Sequence, residues 1–325
     1  MPKAKWYKGN IHTHTTESDG DAEPEKVVGW YRRHGYDFLV LSDHNHLTLF
    51  EYGAGKRRFK RPLMIPGEEI SANIKNGTVP IHINGIGVSR VVEPVDAGEI
   101  VPTIQANVDA ILGAGGIASI NHPNYKWAFD YEAISQVTGA SLMEVFNGVP
   151  VTNVQGAPNR PGNEDIWDRV LSSGKVIFGV ATDDSHNYKD FHPGMANPGR
   201  GWVVVRADEL SSDAIVEGLA SGDFYSSTGV ELADLESSQE SVSLRIEQQL
   251  DSFARQQLAA RHMAFPAPFA AAQRRSRYIG AQPLRKQLIM FSLTGEVLAI
   301  RTDTRLQGRG AHAASSSSLI VSHRP

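Results

Sequence analysis

GNIHTHTTESDG, residues 9–20, sets His12 and His14 two positions apart and Asp19 five residues further on. The run is too short for a helix and reads as the polar end of a short strand. Imidazoles and carboxylates at this density are metal-ligand chemistry. The chain has no cysteine, so disulfides and thiolate sites are excluded and any metal must rest on His, Asp and Glu.

Working outward, short apolar runs recur at 38–44 (FLVLSDH), 63–69 (LMIPGEE), 79–88 (VPIHINGIGV), 117–123 (IASINHP), 142–148 (LMEVFNG), 176–184 (VIFGVATDD) and 202–205 (WVVV). Between them lie amphipathic segments that end in glycine: PEKVVGWYRRHG, TIQANVDAILG, NEDIWDRVLSSG and SSDAIVEGLASG. The first opens with Pro, and the last two have an Asn or Ser cap candidate. Alternating strand and helix predicts a mostly parallel sheet with helices outside, open or closed into a barrel.

The carboxyl ends of these runs carry Asp43-His44, Glu68-Glu69, Asn121-His122 and Asp183-Asp184-Ser185-His186, while His82 lies within its run. Side chains at the carboxyl ends of parallel strands converge on one face of such a fold. A single His or Asp there is usually a loop cap or a satisfied polar group. His34, His262 and Asp37 fall in that class, and GAGG at 113–116 is a helix C-cap and turn rather than a phosphate loop, since no Lys-Ser/Thr follows. Five of the 12 histidines ending strands beside carboxylates, with His82 as a sixth, is a different matter. Together they form a nitrogen-and-oxygen site suited to zinc, manganese or iron.

Composition narrows the class. With 41% apolar residues, 21% charged and a net charge of −4, the chain is globular in type, and nothing in the average points to nucleic acid. The basic start, MPKAKWYKGN, lacks an apolar stretch behind it, and no window approaches the roughly eighteen apolar residues of a membrane span. A cytoplasmic protein with no membrane partner is expected. From Ser241 onward the texture changes: 12 basic residues, 11 of them Arg, stand against 4 acidic ones, and the end is AASSSSLIVSHRP. The tail reads either as a basic interaction segment or, the favoured reading, as a poorly ordered or non-native extension from a shifted reading frame.

The motifs HTHTTESDG, LSDHN, GEEIS, HINGIG, NHP and DDSH, in that order, resemble the PHP (polymerase and histidinol phosphatase) superfamily of metallohydrolases. The flanking WYKGNIHTHTTESDG, GYDFLVLSDHN, EVFNG, GRGWVVV and GDFYSSTGV look more specifically like its carbaryl-hydrolase-type branch, and the resemblance covers residues 5–235. It implies a distorted (β/α)7 TIM-like barrel over 1–228 and an appendage over 229–325. That appendage would be partial β structure to 250, beginning with SVSLRIEQ, then a basic tail. It also implies two or three divalent ions (Zn, Mn or Fe) held by His12, His14, Asp19, His44, Glu69, His82, His122, Asp184 and His186. Glu69 is preferred to Glu68 because the family's ligand directly precedes the apolar residue, and the D-x-H spacing prefers Asp184 to Asp183.

Such a centre would supply a metal-activated hydroxide near neutral pH. The leading expectation is a phosphoesterase acting on a small molecule. Hydrolysis of a carbamate or carboxylic ester is the alternative, and a non-catalytic metal-binding domain is a third reading. Candidate accessory residues are Asp183 to orient a histidine and Asn147 to bond substrate or coordinated water. His46 or His192 would protonate a leaving group, and Arg200 in NPGRG would grip phosphate. Each competes with the plainer reading of a solvated loop residue. Lys126, Trp127, Phe129 and Tyr188 lie in the site loops and leave the pocket's polarity open.

Overall fold

The computed structural model of the chain describes residues 4–52, 61–229, 231–237, 242–247, 286–291 and 297–303. Two five-stranded sheets dominate it. The first is built from β1 (Lys5–Asn10), β2 (Phe38–Val40), β3 (Leu63–Ile65), β9 (Trp202–Ala207) and β10 (Phe224–Ser227), in the order β10-β9-β1-β2-β3. The second runs β4-β5-β6-β7-β8, from Gly67–Ile74, Val79–Ile86, Ile117–Ile120, Ala140–Asn147 and Phe178–Thr182. Helices α1 (Pro24–Arg33), α2 (Ile100–Gly113), α3 (Tyr131–Gln136), α4 (Asn163–Ser172) and α5 (Ser212–Ser221) fall between strands. The fold is mixed α/β.

The expectation of a mostly parallel arrangement is corrected. β1/β2, β2/β3, β6/β7 and β7/β8 are parallel, but β1/β9, β9/β10, β4/β5 and β5/β6 are antiparallel. The reason at β4/β5 is local. Lys75, Asn76 and Gly77 all have positive φ, making a tight turn too short for the crossover a parallel pair needs. The run LMIPGEE, which reads as one strand, divides at Pro66. Residues before it pair with β2, and residues after it pair with β5. Proline has no N–H to give a ladder, so it marks the place where the chain leaves one sheet for the other. Glu69 therefore sits inside β4 rather than at a strand end, and His82 lies within β5, as expected of its run.

Two single bridges join the sheets. Thr13 pairs with Ser185 beyond the ends of β1 and β8, and His44 pairs with Glu69 between the β2 end and β4. The helices form as their patterns require. Pro24 occupies the first turn of α1, which buries Val27, Val28, Trp30 and Tyr31 against Leu39, Leu41, Trp202 and Val204. Each such side chain contributes about 1.5–3 kcal/mol of burial free energy. Ser211 caps α5 by accepting from Ala214 N, whereas α4 is capped by Gly162 and Asn163 already lies within the helix. None of the helices is long and apolar enough to cross a membrane, among the described residues.

Beyond residue 230 the described chain consists of two hairpins. β11 (Glu231–Ser237) pairs with β12 (Val242–Glu247), which lies on SVSLRIEQ, and β13 (Lys286–Phe291) pairs with β14 (Val297–Asp303). The second hairpin falls in the stretch read from sequence as poorly ordered; its strands form on the apolar runs LIMF and VLAI. The rest of the expected basic tail, His262 included, lies outside the described residues.

Gly9 on β1 faces the buried ring of Phe38, and a Cβ there would lie 2.3 Å from its carbons. Gly9→Ala should overpack this junction and destabilise the chain by about 1–3 kcal/mol. Urea unfolding of the two proteins measures it, and equal stabilities would refute the packing assignment.

Candidate metal centre

The ligand candidates arrive on segments that are hydrogen-bonded to one another. His14 N donates to Ser185 O at 2.9 Å, Ser42 N to Thr13 O at 2.8 Å, Asn45 N to Glu69 O at 2.9 Å and Asn121 N to His82 O at 3.1 Å. Asp184 and Asn45 both hold positive φ (48° and 49°), a backbone state that non-glycine residues adopt at a cost and that the surrounding structure must enforce. The loop carrying Asp19 folds back tightly. At Gly20 a Cβ would lie 2.7 Å from the backbone of His14, so only glycine lets Asp19 return to the histidines.

Among the described residues three groups of side chains result: His12, His14, Glu69 and Asp184; His44, Glu69 and His82; and His14, Asp19, His44 and His186. Within the first, Asp184 Oδ1 lies 3.1 Å from His12 Nε2 and 3.0 Å from His14 Nε2, and Glu69 Oε2 lies 3.4 and 3.3 Å from the same two nitrogens. His44 Nδ1 and His82 Nδ1 approach Glu69 at 3.0 and 3.1 Å. His122 Nε2 completes the wall, 3.2 Å from Glu69 Oε1. Asp19, more than half exposed, stands 3.3 Å from His186 Nε2 on the open side of the cluster.

The fit to a cation rests on four atoms. His12 Nε2, His14 Nε2, Glu69 Oε2 and Asp184 Oδ1 are all buried, close together and without a hydrogen-bond partner. Buried polar atoms are normally satisfied, and leaving four unsatisfied around one point is costly. Two nitrogens and two carboxylate oxygens converging on one point are a donor set for a divalent ion.

The charges follow from the neighbours. Burial alone would raise the carboxyls of Glu69 and Asp184. The imidazoles of His44, His12 and His82 around the one, and of His12, His14 and His186 around the other, hold both well below the usual carboxylate range. Burial lowers His14 to about 4, assisted by the nearby His186. Burial also opposes charge on His44, but the carboxylates of Glu69 and Asp19 raise it to about 11. His12 is likewise raised, by Asp184, Glu144 and Glu69 against the opposing effect of burial.

Of the accessory candidates, Asp183, Asn147 and Arg200 are engaged by the protein itself. Asp183 accepts from the backbone N–H of Gly199, Arg200 and Gly201 at 2.6–2.9 Å and from Tyr31 Oη at 2.7 Å, so it anchors a loop rather than an imidazole. Asn147 donates to Glu144 at 2.9 Å and Asp184 at 3.0 Å, and accepts from Val149 N at 2.9 Å, so its amide is engaged by protein. The Arg200 guanidinium, almost wholly buried, donates to Gly148 O, His192 O and Asn197 Oδ1, which ties loops together. His46 and His192 are half-exposed and approach Glu17 and Asp190, at 3.7 Å each.

Two buried carboxylates beside the cluster were given no role by the sequence: Asp43, read at a strand end, and Glu144, not singled out. Asp43 accepts from Thr15 N and Ser18 Oγ at 2.7 Å, Thr15 Oγ1 at 2.8 Å and Thr48 Oγ1 at 2.5 Å, and so shapes the turn that leads to Asp19. Glu144 lies 2.6 Å from His12 Nδ1 in the middle of β7. The available signal was a carboxylate inside the apolar run LMEVF, which burial makes costly unless it is used.

No protein-family model and no curated protein sequence matches the chain. Among solved structures it is similar to a two-domain protein from Bacteroides vulgatus containing a predicted PHP-like metal-dependent phosphoesterase, with 19% identity, a TM-score of 0.48, and 75% of this chain and 76% of that one covered. It is also similar to an amidohydrolase from Chromobacterium violaceum, with 15% identity, a TM-score of 0.36 and coverage of 58% and 93%. A third likeness is to a lesion-specific endonuclease from Pyrococcus furiosus, with 9% identity, a TM-score of 0.40 and coverage of 82% and 68%.

Because His44, raised to about 11, holds its proton at neutral pH without metal, and imidazole binds metal only when neutral, loading at about pH 7 should release protons and affinity should rise with pH. Calorimetry of Zn²⁺ or Mn²⁺ binding in buffers of different ionisation enthalpy reads the proton count. Binding with no proton released would overturn this charge assignment.

Proposed function

We propose that the chain is a metal-dependent hydrolase acting on a small phosphoester, with His12, His14, Asp19, His44, Glu69, His82, His122, Asp184 and His186 as the ligand set. The overlap of the three groups carries this reading, for His14, His44 and Glu69 each belong to two of them, while His122 lies outside all three and joins through its 3.2 Å approach to Glu69. Shared ligands favour two or three ions rather than one, and paired divalent ions suit displacement at phosphorus, where a hydroxide must be held for attack and the charge developing on the leaving oxygen stabilised. When bound, divalent cations of this kind supply Lewis acidity and lower the pKa of water from about 15.7 to about 7.

The protein's own part is to hold and orient. Buried His12, His14, Glu69 and Asp184 define the inner end, while Asp19, His44 and His186 keep partial exposure and form the side by which substrate enters. Asn147 fixes the second oxygen of Asp184, and Ser71 Oγ, 2.6 Å from His44 Nδ1, holds that ring. On the same footing, we propose that the two inter-sheet bridges close β1, β2, β4, β5, β6, β7 and β8 into a distorted (β/α)7 barrel. Residues 1–228 would form the catalytic domain, and 229–325 an extension.

One observation favours a second substrate class. Arg200, the cation expected to grip phosphate, is turned toward loop carbonyls. Hydrolysis of a carbamate or carboxylic ester, as in the carbaryl-hydrolase-type branch, needs no such fork.

Nitrophenyl phosphate, nitrophenyl acetate and an aryl carbamate, offered to Mn²⁺- or Zn²⁺-loaded protein, separate the readings. Turnover of the phosphate ester is expected, and turnover of the carbonyl substrates alone would sink the phosphoesterase. Metal binding with no turnover of any of them would favour a non-catalytic domain. His12→Ala and Asp184→Ala should each reduce turnover to background with the circular dichroism spectrum retained. Chelation should do the same, reversibly.

A further inference from the structure

We infer that Glu144 is a positioning residue that makes His12, His122 and Asp184 bind a cation as one unit, although it contributes no ligand itself. This inference rests on the proposed metal centre but not on the reaction assigned to it. Glu144 is fully buried on β7, and each of its oxygens has two partners. Oε1 lies 2.6 Å from His12 Nδ1 and accepts from Thr182 Oγ1 at 2.6 Å. Oε2 accepts from His122 N at 2.8 Å and from Asn147 Nδ2 at 2.9 Å.

The chemistry of the pair dictates the tautomer of His12. A bound cation leaves the imidazole a single proton, and since a carboxylate only accepts, that proton sits on Nδ1 and Nε2 offers its lone pair to the cation. Nε2 is the nitrogen that faces Asp184 and Glu69 without a hydrogen-bond partner. The opposite tautomer would aim a proton into the donor set and close it. The other oxygen acts on two more ligands. It ties down the backbone that begins His122, and it orients Asn147, whose amide also donates to Asp184 Oδ2 at 3.0 Å. One side chain thus sets a ring orientation, a backbone position and a carboxylate rotamer on three separate strand ends. The outer group of His14, Asp19, His44 and His186 has no hydrogen bond to Glu144. Hydrogen bonds behind the ligands typically change metal affinity by about 10–100-fold.

The test compares Glu144→Gln with the unaltered chain and with His12→Ala, titrating Zn²⁺ against a chromogenic chelator and counting ions per chain. The amide introduced by Glu144→Gln would present an NH₂ to one pair of donors, so either His12 must reverse its tautomer or Asn147 must turn away. The binding step that disappears in His12→Ala should weaken by about 10–100-fold in Glu144→Gln, with the remaining steps unchanged. Unchanged affinity for that step, or equal weakening of every step, would overturn the inference. If the unaltered chain binds no metal, the metal-centre reading itself fails, which is a different result. A second measurement does not depend on the variant folding. ¹⁵N-histidine NMR of the unaltered, Zn²⁺-loaded protein should show His12 protonated at Nδ1, and protonation at Nε2 would overturn the inference.

Discussion

Glu69 is a carboxylate with no access to solvent, ringed by the imidazoles of His12, His14, His44, His82 and His122 at 3.0–3.4 Å. Burying an isolated carboxylate is prohibitive, and it becomes tolerable only when opposite charge and donors surround it. That constraint organises the rest of the molecule. Histidines carried on several segments must reach one side chain, so those segments must be held side by side. The two inter-sheet bridges and the backbone hydrogen bonds between ligand segments do this. The same arrangement leaves four buried donor atoms facing each other without hydrogen-bond partners, a configuration that a divalent cation would relieve.

Around this centre a second set of buried carboxylates acts on backbone and rings. Asp43 shapes the turn before Asp19, Asp183 gathers the N–H groups of residues 199–201 and the hydroxyl of Tyr31, and Glu144 takes His12, the His122 amide and Asn147. Each has its lone pairs answered by donors, which makes its burial tolerable and its geometry rigid. Rigidity matters because Asp184 holds a strained backbone conformation that only a fully determined surrounding can maintain. The adjacent pairs Asp183-Asp184 and Glu68-Glu69 show the division of labour. One member faces the cluster; the other is turned away, Asp183 to the 199–201 loop and Glu68 to Val92 N.

Much of this was legible in the chain. His12, His14, His44, His122, Asp184 and His186 end or follow apolar runs, and side chains at strand ends are forced toward a common face by the pleat and the parallel crossover. The four long helices appear where apolar periodicity, Pro24 and terminal glycines place them. The partners of Arg200 and Asn147 were not legible, because a loop residue's partners come from segments distant in sequence. Arg200 was expected to grip a ligand and instead bonds loop carbonyls 52 and 8 residues away. The split at Pro66 was missed because an apolar run looks the same whether one sheet or two receive it.

By itself, then, the sequence determined the donor chemistry and the order in which donors arrive. Without cysteine, only imidazole and carboxylate could gather, and local periodicity dictated which residues sat at or near strand ends. The tertiary structure alone decided which donors share a point, that Glu69 stands at the middle of the ring, and that Asp183 and Arg200 serve loops. The physical reason is range. Periodicity and capping act within a few residues, whereas these choices depend on hydrogen bonds and charge between segments that meet only when the two sheets close on each other.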